Sequence, residues 1–130
     1  MKKRYTALEI AKYFISKSGK RNGELLSNRK LQKMVSCAQG LYVNMYGEPL
    51  FEDEIEVWND GPIIPTLYEA LKEFGDDGIP PDHEFDPSLI EEDATRLLDE
   101  IHSVFSQYVG IRLMEALMTT DVGNKLVWVM

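Results

Sequence analysis

The chain has 130 residues, 44% apolar and 10% aromatic, and a net charge of −8. That length suits a single domain, 1–130, able to bury roughly two-thirds of its accessible surface, and the apolar share excludes wholesale disorder. No apolar run approaches the ~20 residues that span a membrane. Met1-Lys2-Lys3-Arg4 opens like a signal peptide but leads into an amphipathic stretch with Glu9, Lys12 and Lys17 rather than a continuous apolar core. The single cysteine, Cys37, excludes an internal disulfide and suits a reducing compartment, so a cytoplasmic protein is expected.

The charges are unevenly distributed. Residues 1–33 carry ten basic side chains against Glu9 and Glu24, while the rest of the chain carries four basic against twenty acidic groups. Such a split implies charge-steered encounter with a partner, two halves that attract each other within the fold, or simply solvated faces. The acidic overall balance argues against nucleic acid as the partner, because phosphate contacts make such binders basic.

In chain order, the first helix is expected from Ala7 to about Ser18. Thr6 and Glu9 have capping-box spacing, and Leu8, Ala11, Phe14 and Ile15 share one face. Lys20-Arg21-Asn22-Gly23 is a turn; its glycines lack the G-x-x-x-x-G-K-[ST] spacing of a phosphate loop. A central second helix follows over 28–46, with Ser27 as N-cap and Leu31, Met34, Val35, Ala38, Leu41, Tyr42 and Met45 as its apolar stripe. Cys37 borders that stripe as a small hydrophobe, since catalytic use needs a base or positive field to lower its pKa. Gly47 ends the helix.

Leu50-Phe51 and the alternation of Ile55 and Val57 with Glu54, Glu56 and Trp58 predict a short, half-buried β element near 50–58. Asn59-Asp60-Gly61-Pro62 is a turn, and Pro65 starts a third helix to Phe74 with Leu67, Tyr68, Leu71 and Phe74 facing inward. Residues 76–87 form an acidic loop without calcium-loop spacing. Asp86 as N-cap and Pro87 at the first position then begin a long fourth helix reaching about Tyr108. His102 borders its stripe as a partly exposed structural histidine. Ile111, Leu113, Met114 and Leu117 suit a short fifth helix, and the Leu126–Val129 run has no assigned element. The expected fold is mainly α: a compact bundle of about five helices around helix 28–46. No catalytic constellation, metal-ligand spacing or cofactor motif emerges, so the chain is expected to bind rather than catalyse.

Lys30-Leu31-Gln32-Lys33-Met34, Ala38-Gln39-Gly40, Tyr46-Gly47-Glu48-Pro49-Leu50-Phe51, Ile55-Glu56-Val57-Trp58, Asp60-Gly61-Pro62-Ile63 and Tyr68 together resemble the Panacea antitoxin domain, a family that includes SocA-type proteolytic adaptors and phage-associated GepA-like proteins. The likeness spans roughly residues 5–117. It implies an antitoxin that neutralises a cognate toxin by direct contact, often carried on prophages and mobile elements. The family pattern continues with a Thr-His pair and a Pro-Trp block, where this chain has Met118-Thr119-Thr120-Asp121, so the tail from about residue 118 is atypical.

Partner contacts are expected from Gln32, Lys33, Gln39, Trp58, Asp60, Gly61, Pro62 and Tyr68. Gln32, Lys33 and Gln39 lie off the apolar stripe and are therefore expected at the surface. Trp58 has two readings: a core plug packed under the Gly61-Pro62 turn, the commoner fate of a large aromatic, or a binding anchor on a rigid turn. Alternative roles are an adaptor delivering a client to a Clp-type protease and, through Lys12, Lys20, Arg21, Arg29 and Lys30, a DNA-binding regulator. A homodimer is compatible with any of them.

Overall fold

The structure is a computed structural model, and it describes residues 4–18, 25–59, 61–107, 118–120 and 126–128. Helix α1 (Ala7–Lys17) starts on a complete capping box: the Thr6 hydroxyl accepts the Glu9 N–H while the Glu9 carboxylate accepts the Thr6 N–H. Such caps satisfy donors that the first turn leaves unpaired and contribute about 1 kcal/mol. Helix α2 (Asn28–Tyr46) is capped by Ser27 and closed by Gly47, whose φ of 74° is the left-handed conformation open to glycine.

Helix α2 is the hub, packing against α1, against α3 (Pro65–Leu71), against α4 (Glu92–Gln107) and against strand β2 (Gly61–Ile63). Surrounded in this way, it is buried beyond its apolar stripe. Leu31, Met34, Val35, Cys37 and Ala38 are fully enclosed, and so are the polar residues Asn28, Gln32, Ser36 and Gln39. At the exit end Met45 is 59% exposed and does not join the core as the stripe predicts.

Strand β1 (Glu56–Trp58) pairs antiparallel with β2, Trp58 opposite Gly61 and Glu56 opposite Ile63. The predicted half-buried strand is thus a two-residue-loop hairpin whose first strand is exposed along its length. It is not half-buried because the hairpin packs on α2 mainly through β2. A 3-10 turn (Lys72–Phe74) continues α3 and ends at Gly75, as the sequence indicates. Tyr68, expected inward, is exposed.

The fourth helix begins later than Pro87. Asp86 and Pro87 start a 3-10 turn (Pro87–Leu89) instead, and Ile90 takes an extended conformation before α4 opens. The cause is tertiary: Ile90 is drawn into the core, leaving Leu89 exposed, and the Tyr5 hydroxyl accepts the Glu91 N–H at 2.9 Å. Strands β3 (Met118–Thr120) and β4 (Leu126–Trp128) form a second antiparallel pair, a pairing the sequence pattern did not suggest. Four α-helices occur among the described residues. The proposed fifth helix, the Lys20–Gly23 turn, Asp60, Tyr108 and Val129 lie outside the described residues.

The charge split is partly explained by the fold. Arg4 pairs with Glu52, Lys12 with Asp82 at 3.0 Å and Lys17 with Asp99 at 4.0 Å, each joining the basic N-terminal segment to the acidic remainder. Among the described residues no helix is long and apolar enough to cross a membrane.

Candidate protein-docking cleft

Gln32 and Gln39 lie seven residues apart, two helical turns, and so share one face of α2. Both are buried, at 1% and 8% exposure, which corrects their expected surface position. A helix enclosed on several sides has no solvent face for off-stripe polar residues, so these amides bond to neighbouring chain instead. Gln39 Oε1 accepts the N–H groups of Leu50 and Phe51 at 2.8 and 3.2 Å, and its Nε2 donates to the Phe51 carbonyl at 2.8 Å. Gln32 Oε1 accepts the Ile64 N–H at 2.7 Å while its Nε2 donates to Asn28 Oδ1 at 2.9 Å.

The two amides fasten the chain on either side of the β1–β2 hairpin. A third tie comes from Asp53, which accepts the Ala7 N–H at 2.9 Å and the Thr66 hydroxyl. The hairpin is held at its base while its outer strand stays in solvent. Gly61 supplies the turn with a φ of 114°, a conformation side chains strongly disfavour.

Between this hairpin, the first half of α2 and α3 lies a cleft of about 740 Å³. Helix α2 contributes Arg29 and Lys33, the hairpin Val57, Trp58 and Pro62. Tyr68, Lys72 and Asp76 complete the wall from the α3 side. Trp58 is 43% and Tyr68 37% exposed, their rings tilted by 56° with centroids 5.5 Å apart. Trp58 is therefore not the core plug that its size suggests; its indole N–H donates to Glu56 at 3.1 Å, on its own strand. Tyr68 is tied in by its carbonyl, which accepts from Asn28 Nδ2 at 3.4 Å. Lys72 pairs with Glu69 at 2.8 Å, and that hydrogen bond raises its pKa. The charged side chains of the lining are Arg29, Lys33, the Glu69-paired Lys72 and the Asp76 carboxylate.

Of the residues expected to meet a partner, Lys33, Trp58, Pro62 and Tyr68 line this one cleft with buried Gln32. Gly61 shapes the adjoining turn, and Gln39 sits apart beneath Leu50 and Phe51. Arg29 and Lys72 are additional lining residues. Their signal was available: Arg29 precedes Lys33, and Tyr68 precedes Lys72, by the four residues that align side chains on a helix.

Cys37 and His102 occupy structural positions. Cys37 is fully enclosed, and burial pushes its thiol up to about 12, opposite to the activation a nucleophile needs. His102 Nε2 lies 2.9 Å from the Ser18 hydroxyl, which donates to the Phe14 carbonyl at 3.2 Å. The ring tautomer decides which of the two donates in that contact. No group of three or more His, Cys, Asp or Glu is arranged to hold a metal among the described residues.

These elements define a mainly helical domain that presents an exposed aromatic pair beside basic side chains. The family model for the antitoxin SocA-like Panacea domain matches residues 31–120, and the chain belongs to that family. The matched span takes in both glutamines, the hairpin and α3, while α1 precedes it. No curated protein and no solved structure matches the chain.

Proposed function

We propose that this chain is an antitoxin-type interaction module, cytoplasmic and without catalysis or cofactor, that neutralises a cognate toxin by direct contact through the Trp58–Tyr68 cleft. The supporting observation is the exposed aromatic pair on a hairpin whose base is fixed by Gln32 and Gln39. Aromatic side chains held on a preordered backbone lose little entropy on binding and make efficient anchors. Family membership supplies the antitoxin class. Of the residues a DNA-binding regulator would use, Lys12 is engaged with the Asp82 carboxylate of the same chain.

Co-expression with the product of the adjacent gene tests the reading. The expected result is that the neighbour alone arrests growth, that this chain restores it, and that the two co-purify. Restoration that persists in cells lacking Clp proteases separates neutralisation by contact from adaptor-driven degradation. A harmless neighbour that fails to co-purify overturns the proposal.

A further inference from the structure

We infer that the cleft receives an extended acidic segment of the partner protein, with one apolar side chain against Trp58 and Tyr68 and carboxylates against Lys33 and Arg29. This assignment rests on the interaction-module reading above and specifies the chemistry of what docks. The volume of about 740 Å³ falls within the range of sites that enclose a ligand. The aromatic pair offers an apolar wall with 43% and 37% of its two residues open, next to Arg29 and Lys33, which α2 holds four residues apart on one face.

The charge contrast narrows the occupant. The chain as a whole carries −8, so an acidic segment is discouraged over most of the surface and accepted beside Arg29 and Lys33, Lys72 being already paired with Glu69. Local attraction within general repulsion fixes register and rejects wrong partners more than it adds raw affinity. A peptide fits better than a nucleic acid strand. Asp76 stands in the same lining, and Glu56 holds the Trp58 indole nitrogen. A phosphodiester chain carries charge at every unit and meets those carboxylates, whereas a peptide can set its acids apart from its apolar anchor.

The full chain is used to select from a displayed library of random 12-residue peptides, and affinities of the enriched peptides are measured by titration, with a 12-nucleotide single-stranded RNA as a parallel probe. The expected result is enrichment of acidic peptides holding an aromatic or large aliphatic residue. Their binding should weaken at least about 30-fold in Trp58→Ala, as for an anchor residue, and about tenfold in Lys33→Glu. Both variants should keep the parent thermal midpoint, because neither side chain is in the core. Neutral or basic winners, no enrichment, indifference to both variants, or tighter binding of the RNA each overturn the assignment. Co-expression separates the two proposals. If both variants still neutralise the toxin, docking lies elsewhere and only this inference falls. If the parent chain neutralises nothing yet binds acidic peptides through Trp58, the antitoxin reading falls and the cleft assignment stands.

Discussion

The Gln39 side chain takes up both backbone polar groups of Phe51, donating to the carbonyl at 2.8 Å and accepting from the N–H at 3.2 Å. A backbone N–H and C=O taken up by one primary amide mimics a strand pairing, beside the parallel bridge that Phe51 makes with Tyr5. The Leu50 N–H shares the same acceptor at 2.8 Å. Gln39→Leu keeps the volume but strands three buried backbone groups. At about 1–3 kcal/mol for each unsatisfied group, and with partial relaxation, a loss of roughly 3–5 kcal/mol is expected in urea unfolding. A loss below about 1 kcal/mol would show that water replaces the amide.

Gln32→Leu should cost less, about 2 kcal/mol, since it strands the Ile64 N–H and one lone-pair site of Asn28 Oδ1. The two substitutions clamp opposite ends of the hairpin segment, so their effects should add only if that segment is rigid on its own. A double-mutant cycle reads the coupling. A coupling of about 0.5 kcal/mol or more identifies the hairpin and its flanks as one cooperative unit.

What the sequence made legible was local. The Thr6–Glu9 capping box, the Ser27 cap and the Gly47 stop are decided by neighbours within one turn, and α1 and α2 have the predicted boundaries apart from one residue at the end of α1. The stripe rule placed Gln32 and Gln39 outside because it treats a helix as having one solvent face, and α2 has little of one. Trp58 was left between two readings because its burial depends on which hairpin strand meets α2, which three-residue strands do not encode. The start of α4 was set by a hydroxyl 86 residues away, Tyr5 on the Glu91 N–H, and no window along the chain contains that contact.

Two glycines separate conformational from steric cost. At Gly47 a Cβ meets nothing within 4 Å, so Gly47→Ala pays only for its left-handed φ of 74°, about 1 kcal/mol. At Gly78 an added Cβ would lie 2.5 Å from Leu25 Cβ, beside the bridge in which Ile79 N–H donates to the Leu26 carbonyl at 2.8 Å. Gly78→Ala must push the acidic loop off the segment entering α2, and about 1–3 kcal/mol is expected. Denaturant midpoints should therefore rank parent, Gly47→Ala, Gly78→Ala. The reverse order of the two variants contradicts the close approach.

Cys37 makes a kinetic prediction. Its enclosure and raised pKa leave no thiolate at neutral pH, so a thiol reagent should react only when the chain opens. The native reaction should be slower than that of the urea-unfolded chain by several orders of magnitude, in line with the population of open states. Cys37→Ser should destabilise by about 1–3 kcal/mol by burying a hydroxyl in an apolar site. Rapid native labelling would mean that α2 is accessible and is not the enclosed hub of the fold.

His102 gives the fold a pH dependence with a defined sign. Burial, the largest cause, lowers its pKa below the ordinary 6.5; Asp99 opposes this, and Lys30 and Lys17 add to it. The folded chain thus holds the neutral ring, which bonds Ser18 at 2.9 Å and links α4 to the end of α1. Below about pH 6.5 the unfolded chain takes up the proton first, so the contribution of His102 is present above that pH and is lost as pH falls through the folded value. In His102→Gln the amide can still donate to Ser18 but does not titrate. The stability advantage of the parent over this variant should stay level above pH 7 and shrink as pH falls below about 6.5. Carboxylate titration common to both proteins cancels in that difference. A difference that instead grows on acidification would require a protonated ring favoured by Asp99, and the neutral, Ser18-bonded histidine would be excluded.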